Sequence, residues 1–221
     1  MRRRRAALFI TLITVGLIVF GSTVATEIER TFVAPATLQA ADVSAQEAAR
    51  KLESLEVKGR APKTGYTREA FGGGWKSVQG CSTRNIILYR DLSDVTLDGA
   101  CDVRSGSLND PYTGEVILFD QARSSEVQID HVVALSDAWQ KGAQLLTAER
   151  REQLANDPLE LLAVSGKENQ AKGDGDAATW LPKNRAFRCE YIERQIEIKV
   201  KYELWVTAAE KEAMAKVLAG C

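Results

Sequence analysis

Four cysteines, Cys81, Cys101, Cys189 and Cys221, constrain this 221-residue chain more than any other feature. An even number of cysteines in an exported chain reads as two disulfides, with three possible pairings. Cys81–Cys101 and Cys189–Cys221 are favoured, because each pair brackets one structural block. Export is the expectation from residues 1–25, where "MRRRR" is followed by the uncharged run "AALFITLITVGLIVFGSTVA". A basic start, an apolar run and a small-residue end at Ala25 make a signal peptide. The run is also long enough for a membrane anchor. Arg2 to Arg5 would then stay inside and the body outside. The chain is therefore expected to be secreted, or anchored at the outer face of the cytoplasmic membrane. A zinc site is disfavoured by the lack of a C-x-x-C spacing and by the single histidine.

With 45% hydrophobic and 27% charged residues, the chain has globular composition. The formal net charge is −1, and residues 1–25 hold four arginines and no acid, which leaves the body near −5. That disfavours a tight binder of nucleic acid driven by charge alone. Residues 60–90 run the other way: Arg60, Lys63, Arg68, Lys76, Arg84 and Arg90 face a single acid, Glu69. A local basic face and scattered solvated charge are both compatible with that run.

Residues 26–40 read as a linker and 44–57 as a helix, with Ser44 and Glu47 at capping-box spacing. This divides the chain into 1–25, a linker and N-terminal helix over 26–58, and a domain over 59–221. "FGGGW" at 71–75 reads as a turn, since it lacks the lysine and following helix of a phosphate-binding loop. Strands are expected at 85–90, 115–120, 127–135 and 159–164. "NDPYTG" at 109–114 is a turn cluster, with Tyr112 as a turn residue. Helices are expected over "LSDAWQKGA" and "TAERREQLA", from Ser165 with a Ser165/Glu168 capping box, near 184–204, and over 208–219 capped by Thr207 and Glu210. The fold class is α+β, with a small antiparallel sheet and flanking helices.

The only histidine, His131, follows Asp130 in "EVQIDHVVAL". Standing alone, such a histidine is more often packed than reactive. Here it sits in a strand–strand–helix order whose helix carries Asn169. Cutting a phosphodiester needs a base near neutral pH, oxygen ligands for a hard cation, and cationic donors for phosphate. Successive residues of a regular strand face opposite sides, so Asp130 and His131 can share a site only if the strand ends or bulges there. Arg84 and Arg185 are candidate phosphate clamps, with surface ion pairs as the plain alternative. Trp180 and Tyr191 are expected in the core, and Asp174 and Asp176 in a loop.

"IDHVVALSDAWQKGA", "NDPLELLAVSGKENQAKGDGDAATWLP" and "NRAFRCEYIERQIEIKVKYELWVTAAEK" together resemble the HNH, or ββα-metal, endonucleases. More narrowly, they resemble the secreted bacterial type that shares the C-terminal domain of the GmrSD restriction endonucleases. "CSTRNIILYRDL" and "GSLNDPYTGEVILF" fit as well, so the resemblance spans about residues 60 to 221. It implies a ββα-metal core and a metal-dependent nuclease of little sequence specificity. His131 would be the general base, with Asp130 and Asn169 as ligands of Mg²⁺ or Mn²⁺ and Lys172 reaching phosphate. Cleavage would leave 5′-phosphate and 3′-hydroxyl ends. One departure is Glu160, which stands where the superfamily has an asparagine that positions the histidine loop. The acid is expected to orient the histidine ring, to bind metal or to face solvent. The implied partner is nucleic acid, DNA ahead of RNA, acted on by a monomer; a membrane enters only if the N-terminal segment is uncleaved. The alternative is an exported nuclease-fold module that binds without cutting.

Overall fold

The computed structural model describes residues 36–221, with side chains from Ser44 onward. The segment expected to direct export and the first part of the expected linker lie outside the described residues. Helix α1 (Ala36–Ser54) begins well before Ser44, so Ser44 is not its cap; its hydroxyl donates to Glu193 instead. Ala45, Ala48, Leu52 and Leu55 form the buried side of its second half, at helical spacing.

Strands β1 (Ser77–Val78) and β2 (Cys81–Ser82) make a short hairpin. Residues 85–90, expected as a strand, lie instead in helix α2 (Thr83–Asp91). The Ser82 side chain accepts from Asn85 N, and Thr83, Ile87 and Leu88 are buried. A cap and a buried stripe at helical period outweigh the β preference of two adjacent isoleucines.

Next come β3 (Leu92–Asp98), β4 (Asp102–Asn109) and β5 (Val116–Asp120), which form one antiparallel sheet in that order. The third sheet has two strands, β6 (Val127–His131) and β7 (Leu161–Ser165), paired from Val127↔Ser165 to His131↔Leu161. Between them lie α3 (Leu135–Gln140) and α4 (Ala148–Ala155). After β7 come α5 (Gly166–Lys172), α6 (Arg188–Lys201) and α7 (Ala208–Leu218). The Thr207/Glu210 capping box is formed at α7. The Ser165/Glu168 box is not: Ser165 makes no side-chain cap, and Glu168 pairs with Lys183.

The β6–β7 pair is buried on both faces, as its near-continuous apolar run requires. Leu162 and Val164 join α1, Tyr191 and Ile192 on one side. Val127, Ile129, Leu161 and Ala163 join Ile87 and Leu88 on the other. The first turn of α5 approaches the start of β6 so closely that a Cβ on Gly166 would stand 2.0 Å from the Ser125 carbonyl oxygen.

Residues Ser44–Cys221 make one compact unit. Two disulfides close it, Cys81–Cys101 and Cys189–Cys221, with sequence separations of 20 and 32. Loops of that length correspond to about 3–4 kcal/mol each in the chain-entropy picture. No helix among the described residues is long and apolar enough to cross a membrane.

Candidate functional site

Strand β6 carries the centre of the site. It runs without a bulge to His131 and ends there. Side chains alternate as a regular strand demands. Asp130 lies on the face shared with Gln128, towards Tyr112, while His131 lies with Ile129 on the α2 face. Both nonetheless line one cleft of about 540 Å³, together with Gln128, Asn169, Arg84, Arg68 and Trp75. Among the described residues β6 has only β7 as a strand neighbour, and the cleft takes lining residues from both of its faces.

His131 is buried, and its ring stacks on Trp75 with centroids 5.8 Å apart and planes 5° from parallel. Its Nε2 is 3.0 Å from the Ala155 carbonyl oxygen. A carbonyl only accepts, so Nε2 carries the proton and Nδ1 keeps its lone pair. Burial lowers the histidine to about 3; the Ala155 bond opposes this, and the charges of Arg68 and Lys172 add to it. The ring is therefore neutral at neutral pH.

Asp130 is buried and accepts from the Tyr112 hydroxyl. Lys172 Nζ donates to both of its carboxylate oxygens, at 2.9 and 2.8 Å, and to the His131 carbonyl oxygen at 2.6 Å. An ammonium has three donors. All three of Lys172 are engaged on a fully buried side chain, so the expected reach to phosphate is not available in this arrangement.

Tyr112 lies in the expected turn and is fully buried there, packed against Trp180 and Tyr191. Asp110 holds its turn by accepting from the Tyr112 and Thr113 amides and from Ser165 N across the fold. In the sequence, the only sign of this role is that aspartate two residues earlier.

Glu160 precedes β7 and is fully buried. Its Oε2 accepts from Val133 N at 3.2 Å, and its own carbonyl accepts from Val132 N. It thus fastens the two residues that follow the histidine. It does not hold the ring: the carbonyl of Ala155 does. Its Oε1 has no hydrogen-bond partner among the described residues. Burial pushes its carboxyl well above the usual range, against the Val133 bond and the Lys172 charge, so the environment favours the neutral acid.

Asn169 donates from Nδ2 to Gln128 Oε1 at 2.9 Å, and no described residue donates to its Oδ1. A carboxylate and an amide oxygen are donors of the right kind for Mg²⁺. Asp130 already accepts three of the roughly four bonds a carboxylate can take, so Lys172 competes with any ion for it. Among the described residues, no group of three or more His, Cys, Asp and Glu side chains could hold a metal. The donor set fits one lightly held, water-rich ion and not a closed metal cage.

The basic run from Arg60 to Arg90 mostly ends in ion pairs. Arg60 binds Asp137 and Asp176, Lys63 binds Asp174, Lys76 binds Glu152, and Arg90 binds Asp91. Arg84 and Arg68 have no acidic partner among the described residues, and both line the cleft. Burial lowers Arg84, half-buried with nothing to offset that loss of hydration. Arg185 is exposed on a short 3₁₀ turn and lines neither cavity beside His131.

Beneath the cleft, Lys141, Lys199 and Arg60 meet Asp137, Asp176 and Glu210 in a mostly buried network. It ties α3 to α6, α7 and the loop after α5. Asp176, expected as a loop acid, stands in its loop and is part of this frame.

A protein of Arthroderma benhamiae described as an uncharacterized secreted protein is 40% identical over 181 residues, which cover 80% of this chain and 86% of the relative. No solved structure matches the chain. Residues 83–217 match the family model described as GmrSD restriction endonucleases, C-terminal domain. That stretch holds Arg84, Asp130, His131, Glu160, Asn169 and Lys172, and by it the chain belongs to the family of GmrSD restriction endonuclease C-terminal domains.

Proposed function

We propose that this protein is an exported HNH-type nuclease that hydrolyses phosphodiester bonds with little sequence preference. The observation that carries the reading is the state of His131. It is a neutral ring with its Nε2 proton held by Ala155, its basic nitrogen uncommitted, on the wall of a cleft that also holds Asp130, Asn169 and an unpaired Arg84. A base fixed in one tautomer beside an anion-binding cation suits water activation at a phosphate, and its lowered pKa of about 3 leaves it a weaker base than an ordinary histidine.

In this reading His131 Nδ1 takes a proton from water, and the oxygen attacks phosphorus. The bond to the 3′ oxygen breaks, leaving a 5′-phosphate and a 3′ oxygen that takes a proton from solvent water to become the hydroxyl. Arg84 holds the phosphate. Tyr112 and Lys172 fix the Asp130 carboxylate, and Gln128 turns the Asn169 amide so that its oxygen is free. Mg²⁺ or Mn²⁺ on those two oxygens would supply charge stabilisation for the departing oxygen. Secretion is supported by the two disulfides, which suit an oxidising compartment, and by the description of the fungal relative. DNA is the substrate proposed first.

The test is nicking of supercoiled plasmid by the protein lacking residues 1–25, with Mg²⁺, with Mn²⁺ and with EDTA, beside His131→Ala. Loss of a general base should cost roughly 10²–10⁴ in rate. Equal behaviour of wild type and His131→Ala over salt and metals ends the reading. It would favour the second one, a nuclease fold that binds without cutting, for which the engagement of Asp130 by Lys172 is the supporting observation.

A further inference from the structure

We propose that a second, smaller cavity, which shares His131 with the main cleft, is a subsite for one unpaired nucleotide next to the scissile phosphate. This rests on the nuclease reading and deepens it towards single-stranded substrate. The cavity, about 190 Å³, is walled by Arg68, Gly72, Gly73, Gly74 and Trp75 and shares His131, Arg68, Trp75 and Leu135 with the main cleft. A strand lying across His131 in one space therefore continues into the other.

The wall has the chemistry of a nucleotide contact. Arg68 is exposed and has no acidic partner among the described residues, so its guanidinium is available to a flanking phosphate. Glu69 lies on the same wall, which suits a single phosphate near Arg68 and not a dense polyanion. Trp75, one face of which lies along the His131 ring, is only half-buried and lines both cavities, and bases stack on exposed aromatic surface whatever their identity. Room for one flat ring, bordered by backbone, admits an unpaired nucleotide and not a duplex.

The glycines of the wall differ in what they tolerate. Gly72 is required by the fold: its φ is +100°, and a Cβ would meet Glu152 Cγ at 3.0 Å. Gly73 is not. Its φ lies outside the left-handed region, and a Cβ there would meet nothing within 4 Å. A side chain at Gly73 would therefore fit the fold, so bulk can be added to this wall of the cavity without disturbing the packing. Arg68 to Trp75 also precede the family match, which begins at residue 83, so this wall is contributed by the chain's N-terminal part.

The test compares a single-stranded oligonucleotide with bis(p-nitrophenyl) phosphate, a diester too small to reach both cavities, in Mn²⁺. For Gly73→Leu, KM for the oligonucleotide should rise about tenfold, the worth of one base contact, with the small diester cleaved as by wild type and the melting temperature unchanged. Equal KM values, or equal losses on both substrates, overturn the subsite. If wild type cleaves neither substrate, the nuclease reading has failed by itself. The subsite is then decided by anisotropy of a fluorescent single-stranded trinucleotide in EDTA: weaker binding by Arg68→Ala and Gly73→Leu than by wild type supports it, and equal binding overturns it.

Discussion

Lys172 Nζ stands 2.9 and 2.8 Å from the two carboxylate oxygens of Asp130, so the proposed metal ligand already holds a cation. Two cations competing for one carboxylate weaken each other's hold. Lys172→Met retains the stem and releases Asp130. Without metal, this variant should be less stable by roughly 3–5 kcal/mol, because a buried carboxylate loses its partner. The rise in melting temperature on adding Mn²⁺ should be larger than in wild type. A smaller or absent rise would show that Lys172 supports metal binding.

Glu160 separates two roles by two substitutions. Its Oε2 accepts from Val133 N, and the buried environment favours its neutral form. Glu160→Gln keeps an acceptor of the same reach and should leave stability and plasmid nicking close to wild type. Glu160→Ala leaves the Val133 amide unsatisfied, at a cost of about 1–3 kcal/mol, and loosens the residues after His131. A large activity loss in Glu160→Gln at unchanged stability would give the carboxylate a chemical role of its own.

The buried network beneath α3 predicts a steep dependence on Lys141. It lies 2.7, 2.8 and 2.6 Å from Asp137, Asp176 and Glu210 and is fully buried. Lys141→Met should destabilise by roughly 3–5 kcal/mol in urea melts. Adding Glu210→Gln should recover part of that, since the pair removes one charge of each sign. Strict additivity of the two losses would contradict the network.

Acid should unfold the metal-free protein in two stages. Burial holds His131 near 3 against an ordinary 6.5, so the unfolded chain takes up that proton first. The stability this confers is complete above about 6.5 and declines as pH falls towards 3. For Asp176, burial would raise the carboxyl, but Lys141 and Arg60 outweigh it and draw it to about 2 from 3.8. Its contribution is present above 3.8 and is lost as pH falls towards 2. Urea midpoints measured in EDTA should follow both declines, and His131→Gln should remove the upper one. A wild-type midpoint that is flat from pH 6.5 to 4 would refute the first stage.

The parts of this molecule that could be read from sequence are those where one local signal decides. β5, β6 and β7 follow apolar runs, and α7 follows the Thr207/Glu210 box. α2 was hidden because its isoleucines favour strand while Ser82, just outside the run, sets a helix. β3 and β4 carry few apolar residues on a largely solvated sheet, so neither shows a run. Asp130, His131 and Asn169 were legible as a spacing. The engagement of Lys172 was not, because its reach back to Asp130 depends on how α5 meets β6. Lys141 carried no signal of its burial, because two of its partners, Asp176 and Glu210, lie 35 and 69 residues away. Arg68 gave no signal beyond belonging to a basic stretch.

Gly166 never approaches the chemistry, yet the closeness of its backbone to the Ser125 carbonyl leaves no room for any side chain there. Asn169 and Lys172 stand on the same rigid helix three and six residues further on. The spacing between helix and strand at that one point therefore calibrates both: how near the amide oxygen comes to Asp130, and whether the ammonium reaches it. A methyl group at residue 166 would act as a shim, lifting both side chains from the strand together, with every proposed reacting group still in the sequence.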